Sequence, residues 1–169
     1  MDSYSKLLEL VNTSGCFAPA NHMYVTELRP DHSTVGVLEV QPSSLNPMGI
    51  VHGGALVTLA DTVCGTAAFT TGHMCVTLDC SMQYLAPASG ARITCTATPR
   101  KLGKTVLVYE AVLTDDTGRT VATGVYTFFC QGAGKLTRIL NRRAAGRACF
   151  ISDDLPRGIP GASRSSSRS

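Results

Sequence analysis

Apolar residues first recur at helical spacing. Leu7, Leu8, Leu10 and Val11 make a stripe on a short helix from Tyr4 to Asn12, with Ser3 as its cap and Gly15 as its stop. The period then shortens. His22–Leu28 and Ser33–Val40 read as strands around the hairpin turn Arg29-Pro30-Asp31, and Pro42 and Pro47 make residues 41–51 a loop. From Gly54 to Thr71 the character changes again, to GALVTLADTVCGTAAFTT, without proline and almost wholly apolar. The run is too long for a strand, and as a helix it would extend about 27 Å. A helix apolar on every side is expected to be buried on every side. Thr58 and Asp61 are its main polar interruptions.

After Gly72 the pattern returns to strands. Met74–Tyr84 and Ala91–Arg100 are separated by Ala86-Pro87-Ala88-Ser89-Gly90, and Thr105–Thr114 and Arg119–Cys130 by the hairpin turn Asp115-Asp116-Thr117-Gly118. Val106, Val108, Glu110 and Val112 alternate with the residues between them, as do Val121, Thr123, Val125 and Thr127. One very apolar helix followed by an antiparallel meander predicts an α+β fold with the sheet wrapped around that helix. Residues 1–131 form the expected domain. Residues 132–169 lack sustained periodicity; Lys135–Ala148 is a candidate basic helix, and the rest has the low-complexity composition of a disordered tail.

Composition narrows the class. The 169 residues are one domain's worth, 44% hydrophobic and 16% charged, as in an ordinary soluble globular protein. No apolar run matches the about 20 residues of a bilayer span, so no membrane partner is expected. Met1 to Glu9 lacks the basic-then-apolar order of a secretory signal. The seven cysteines are scattered without a CxxC pair, which argues against a zinc site and for free thiols in a reducing, cytoplasmic setting. Neither metal nor cofactor is expected. Net charge is +3, but from Gly132 onward eight basic side chains face only Asp153 and Asp154. The body is mildly acidic and the tail basic, read as solvated charge rather than as a nucleic-acid surface.

The most informative segment is the junction Asn46-Pro-Met-Gly-Ile-Val-His52-Gly53-Gly54. Two glycines at a helix start let a substrate come close to the backbone, and the first-turn N–H groups, free of helical partners, can polarise a carbonyl oxygen. The same glycines would also serve a tight turn. Asp61 is an ionisable group in an apolar helix, a costly placement that leans functional; its structural alternative is a bond to a hydroxyl such as Thr58 or Thr62. His52 suits either a base or a positioning residue. Gly53 and Asp61 are eight residues apart, about 12 Å along a helix, too far to act on one functional group. If both act, the site is completed by a second copy, so two such helices meet near a symmetry axis.

Taken in order, Leu45-Asn46-x-x-Gly49-x-x-His52-Gly53-Gly54, Leu59-Ala60-Asp61, the run Val76–Ala88, Gly103-Lys104-Thr105 and Gly118-x-x-Val121-Ala122-x-Gly124 resemble a known set. It is that of the hotdog-fold acyl-coenzyme A thioesterases of the phenylacetate-pathway and thioesterase-superfamily-member-2 type, matched over roughly residues 20–130. The resemblance implies Asp61 as nucleophile or general base, assisted by Thr77, with the Gly53 N–H polarising the thioester carbonyl. It implies that Asn46 orients water or the thioester and that His52 supports the loop, Asn46 and Gly53 coming from the other subunit of a homodimer assembled to a homotetramer. For coenzyme A it implies the turn at Tyr84, Pro87 and Ala88 and the basic loop of Arg100, Lys101, Gly103 and Lys104. Two other functions compete: an acyl-thioester hydratase or dehydratase using His52 and Asp61 as an acid–base pair, and a non-catalytic acyl-CoA-binding protein.

Overall fold

Helix α1 (Ser3–Val11) and a four-residue helix α2 (Phe17–Ala20) precede the hairpin of β1 (Met23–Leu28) and β2 (Thr34–Glu39). A 3-10 turn, Pro42–Ser44, leads to α3 (Gly53–Phe69), and then come β3 (His73–Tyr84), β4 (Arg92–Leu102), β5 (Val106–Thr114) and β6 (Thr120–Ala133). The computed structural model describes residues 3–133, so the candidate basic helix and the tail expected beyond it lie outside the described residues. The expected elements appear with ends shifted by up to three residues. Helix α2 was not expected, because four residues are too few to show a period.

The sheet is antiparallel and six-stranded in the order β1-β2-β4-β5-β6-β3. Only β4, β5 and β6 form the expected meander. Strand β3 pairs with β6 instead of β4 and lies at the far edge. Helix α3 is the reason: it carries the chain across the sheet from β2 to that edge, and it touches all six strands on the way.

The hydrophobic pattern explains the packing. In β5 every second residue, Leu107, Tyr109, Ala111 and Leu113, is buried. These face α3, whose Leu56, Leu59, Val63 and Cys64 are buried in the same core. Burying each such large side chain contributes about 1.5–3 kcal/mol. Alanines 60, 67 and 68 keep the helix close to the sheet. Gly36 of β2 permits the nearest approach, since a Cβ there would lie 2.5 Å from Val63 Cγ2 and 2.9 Å from the Tyr24 carbonyl. Two buried tyrosines then fix the helix axially: Tyr109 Oη donates to the Ala67 carbonyl and Tyr126 Oη to that of Val57, both at 3.1 Å.

Helix α3 is not buried on every side in the single chain. Asp61, Gly65 and Phe69, at i, i+4 and i+8, form a stripe that stays half-exposed. The two edges of the sheet also differ. Along β1, the Asn12 amide donates to the Val25 carbonyl at 2.7 Å and accepts from the Val25 N–H at 2.9 Å, so a side chain takes the place of a neighbouring strand. Edge β3 has no such cover among the described residues, and Val76 and Leu78 are 46% and 58% exposed on it.

Candidate active site

The loop before α3 is built from its own hydrogen bonds. Asn46 Oδ1 accepts from the Met48 N–H at 2.9 Å and the Ile50 N–H at 3.3 Å, an Asx-type turn completed by Gly49 at φ +75°. Asn46 therefore shapes the loop with its oxygen and keeps its amide NH2 for another acceptor. The Val51 N–H donates to the Ala88 carbonyl and the His52 N–H to that of Ser44, which ties the loop to the turn after β3.

His52 caps α3. Its backbone is extended (φ −63°, ψ 136°), and Nδ1 accepts from the Gly54 N–H at 2.8 Å. Accepting there requires an unprotonated Nδ1, so the neutral ring carries its proton on Nε2. This contact engages Nδ1 in shaping the helix start.

Neither Gly53 nor Gly54 has positive φ, so a tight turn is not what demands them. Space is. A Cβ on Gly54 would lie 2.9 Å from His52 Nδ1, and one on Gly53 would lie 3.2 Å from the Tyr84 ring. Tyr84 packs on the helix start and donates from its hydroxyl to the Gly53 carbonyl at 3.3 Å. The Gly53 N–H has no acceptor among the described residues and sits at the positive end of the macrodipole.

Two turns along the helix, Thr77 Oγ1 donates to Asp61 Oδ1 at 2.8 Å. The partner is thus neither Thr58, which donates to the Gly54 carbonyl, nor Thr62. A register shift between Thr77 and Asp79 marks a bulge in β3, the kind of irregularity that re-aims a side chain beside a site. Both residues line a mainly apolar cavity of about 460 Å³. Its walls include Leu10 and Val11 of α1, which sequence reasoning assigned only to a helix stripe.

The remaining candidates lie around the rim. The turn after β3 is clamped by Arg119, which donates to the Pro87 carbonyl at 2.7 Å and pairs with buried Asp115. The carboxyl of Asp115 is held below the usual range by the Thr117 hydroxyl, with its N–H groups and Arg119 adding to the effect. This clamp was missed from sequence, where Asp115 read as turn chemistry alone. Ala88 is buried, so only its carbonyl and the neighbouring Pro87 shape the turn. On the second loop, Arg100 is engaged in a two-point ion pair with Glu110, at 3.2 and 2.6 Å. Lys101 and Lys104 are exposed and without an ion pair among the described residues. Gly103 is required by space, because a Cβ would lie 2.6 Å from the Val106 carbonyl.

Three buried thiols are poor candidates for the chemistry. Burial pushes Cys64 and Cys95 far up, and burial with a 3.5 Å contact to Cys130 pushes Cys75 up to about 12. Thiolates, the nucleophilic form, are disfavoured there. Within one chain the geometry thus gathers Asp61 with Thr77, and Asn46, His52, Gly53 and Tyr84 at the other end of two helical turns. A carboxylate beside an apolar cavity and a free helix N-terminus are the parts needed to activate water and to hold an oxyanion.

Comparison with known proteins shows what the chain as a whole is similar to. Residues 48–122 match the model of the Thioesterase superfamily. Mouse acyl-coenzyme A thioesterase 13 is 34% identical over 94 residues, covering 53% of this chain and 67% of that protein. The matched share of the relative's own length is 55% for a putative esterase of Haemophilus influenzae and 79% for one of Vibrio cholerae. A Streptococcus pneumoniae thioesterase solved with coenzyme A is 31% identical, with a TM-score of 0.62 over 66% of this chain and 87% of that one. The PaaI protein of the E. coli phenylacetic acid degradation operon gives a TM-score of 0.70 at 25% identity, covering 77% and 94%.

Proposed function

The chain belongs to the thioesterase superfamily, and from that premise we propose that it is an acyl-CoA thioesterase, cleaving a thioester with water to a free acid and coenzyme A. The observation that carries this reading is the Asp61 carboxylate, bonded to Thr77 on one oxygen and opening onto an apolar cavity. Asp61 activates the attack on the thioester carbon, as base toward water or as nucleophile, and Thr77 holds the carboxylate in place. The Gly53 N–H receives the developing oxyanion, whose collapse expels the thiol. His52, by capping α3, keeps that N–H aimed outward.

The site needs a second copy. Gly53 lies about 12 Å from Asp61 along one helix, so the donor and the carboxylate that share a thioester come from different chains. The uncovered β3 edge, with Val76 and Leu78 exposed, supports a homodimer joined along it, and pairs of dimers would give a tetramer. Lys101 and Lys104 suit the phosphates of coenzyme A, beside the Tyr84–Ala88 turn. A cytoplasmic location accompanies this reading; among the described residues no helix is long and apolar enough to cross a membrane.

Asp61→Asn tests the proposal. Hydrolysis of acyl-CoA should fall by a factor on the order of 10² or more, as for loss of a base or nucleophile, while binding of a non-hydrolysable acyl-CoA survives. Mixed with Asn46→Ala under subunit exchange, it should regain up to about a quarter of wild-type activity, because half the dimers then hold one intact site of two. Wild-type turnover in Asp61→Asn would end the mechanism, and demonstrated exchange without recovery would end the shared site.

A further inference from the structure

Two of the buried thiols sit face to face. Cys75 of β3 and Cys130 of β6 are register partners in the ladder that holds the free margin of the sheet, and their sulfurs are 3.5 Å apart. They stand 55 residues apart in sequence, so the fold rather than the chain makes the pair. Both are buried, at 7% and 6% exposure, and both belong to the core under α3. Hydrolysis by Asp61 uses neither.

The backbone holds them at a separation that a disulfide accepts. Cys130 donates its N–H to the Thr105 carbonyl at 2.8 Å, on the β5 side. In an antiparallel ladder the N–H and the carbonyl of one residue point the same way, so Cys130 offers neither to β3. It therefore faces Cys75 as a non-hydrogen-bonded pair, the kind whose Cα atoms are about 4.5 Å apart and whose side chains lie closest. Disulfides bridge Cα separations from about 4.4 Å upward without backbone movement. Bonded sulfurs lie about 2.05 Å apart, a closure that small χ1 turns on both side chains supply. Cys80, the exposed thiol of the same strand, faces Tyr126 instead. Cys75 also lines the cavity between α3 and β3, which gives a small molecule a route to its sulfur.

We propose that Cys75 and Cys130 form an oxidation site, at which hydrogen peroxide converts the two thiols to a cross-strand disulfide that locks the β3 margin onto β6. First, Cys75 Sγ attacks one peroxide oxygen. The O–O bond breaks, and the departing hydroxide takes the thiol proton and leaves as water, giving a sulfenic acid. The Cys130 sulfur then attacks the Cys75 sulfur, the S–O bond breaks, and a second water leaves with the Cys130 proton. Two electrons pass from the thiols to the peroxide. Burial, with the contact to Cys130, holds the Cys75 thiol up at about 12, so the first step is slow at neutral pH and answers sustained exposure. The second step joins groups already in contact, so it outruns further oxidation to the sulfinic acid.

The test treats the full chain with hydrogen peroxide and digests it with chymotrypsin in the absence of reductant. Cuts after Phe69 and Leu78 separate Cys75 from Cys64 and Cys80, and a cut after Phe129 frees the Cys130 peptide. The expected product is those two peptides linked, lighter than their sum by two hydrogens, formed within one chain and separated again by dithiothreitol. Linking should raise Tm by about 5 °C or more, as for a bond closing so long a loop, and reduction should reverse the rise. In Cys130→Ser the reaction should stop at a Cys75 sulfenic acid, trapped by dimedone, with no rise in Tm. The wild-type map decides the matter even if that variant does not fold. Free Cys75 and Cys130 in protein whose Cys80 has been oxidised, a Cys75 sulfinic acid without a link, or a bond from Cys75 to any other cysteine would overturn the proposal. A correct link that leaves Tm unchanged would overturn the lock.

Discussion

Replacing Tyr126 by Phe removes a single oxygen from the core, and the structure fixes what that oxygen does. The ring is fully buried and its hydroxyl donates to the Val57 carbonyl at 3.1 Å. In the helix that carbonyl also receives the N–H four residues on, which belongs to Asp61. Loss of the phenol therefore leaves no orphaned acceptor, and the cost is the net worth of one hydrogen bond, about 0.5–1.5 kcal/mol, rather than a desolvation penalty. For a domain of this size that corresponds to a fall in Tm of about 2–6 °C. Burial, reinforced by Cys80, Cys64 and Asp61, holds the phenol pKa above its usual value. A raised folded pKa means that the stabilisation is complete below the unfolded pKa, about 10, and is lost as pH rises from there. The wild type should thus lose stability in alkali faster than Tyr126→Phe. Urea or thermal denaturation followed by far-UV circular dichroism, at neutral pH and above pH 10, reads both effects. Equal stability at neutral pH, or a gap between the proteins that widens in alkali, would refute the reasoning.

Asn12→Ala should cost more than Tyr126→Phe, because it deprives both the N–H and the carbonyl of Val25 of their partner; about 1–3 kcal/mol per group left unsatisfied is the ceiling, less what water restores. Faster amide exchange at Val25 and a lower urea midpoint would show it, and unchanged exchange would mean that α1 is held by other contacts. Lys101→Gln with Lys104→Gln should raise KM for acyl-CoA several-fold with kcat nearly constant, and the rise should shrink at high salt. An unaltered KM would move coenzyme A away from this loop.

How far the sequence was readable depends on the range of each interaction. Helix α3 stood out because seventeen residues of apolar chain have few alternatives, and the alternation in β5 because each residue reports its own face. The position of β3 beyond β6 was hidden, since strand pattern carries no information on which neighbour a strand chooses. Asp61 was conspicuous as a charge among alanines and leucines, whereas its partner Thr77 came from resemblance, sixteen residues away. His52 shows the other kind of loss. The same imidazole can serve as a cap or as a base, and only the 2.8 Å contact to Gly54 reveals the cap. Arg119 on the Pro87 carbonyl and Asn12 on Val25 join chain segments with no shared motif, so no local reading could have paired them.

The unlike edges of the sheet bear on how growth stops. Strand β1 is bonded by the Asn12 amide and covered by α1 and α2, while β3 is an edge strand without a second neighbour among the described residues. A sheet of this kind polymerises only if both margins accept a strand. With one margin closed, the second copy proposed to dock on β3 would use up the sole growing end of each, and the ribbon would terminate at two chains. In that proposed dimer the asparagine on the opposite margin would serve as a chain terminator, acting against fibres from the side of the molecule farthest from the joint.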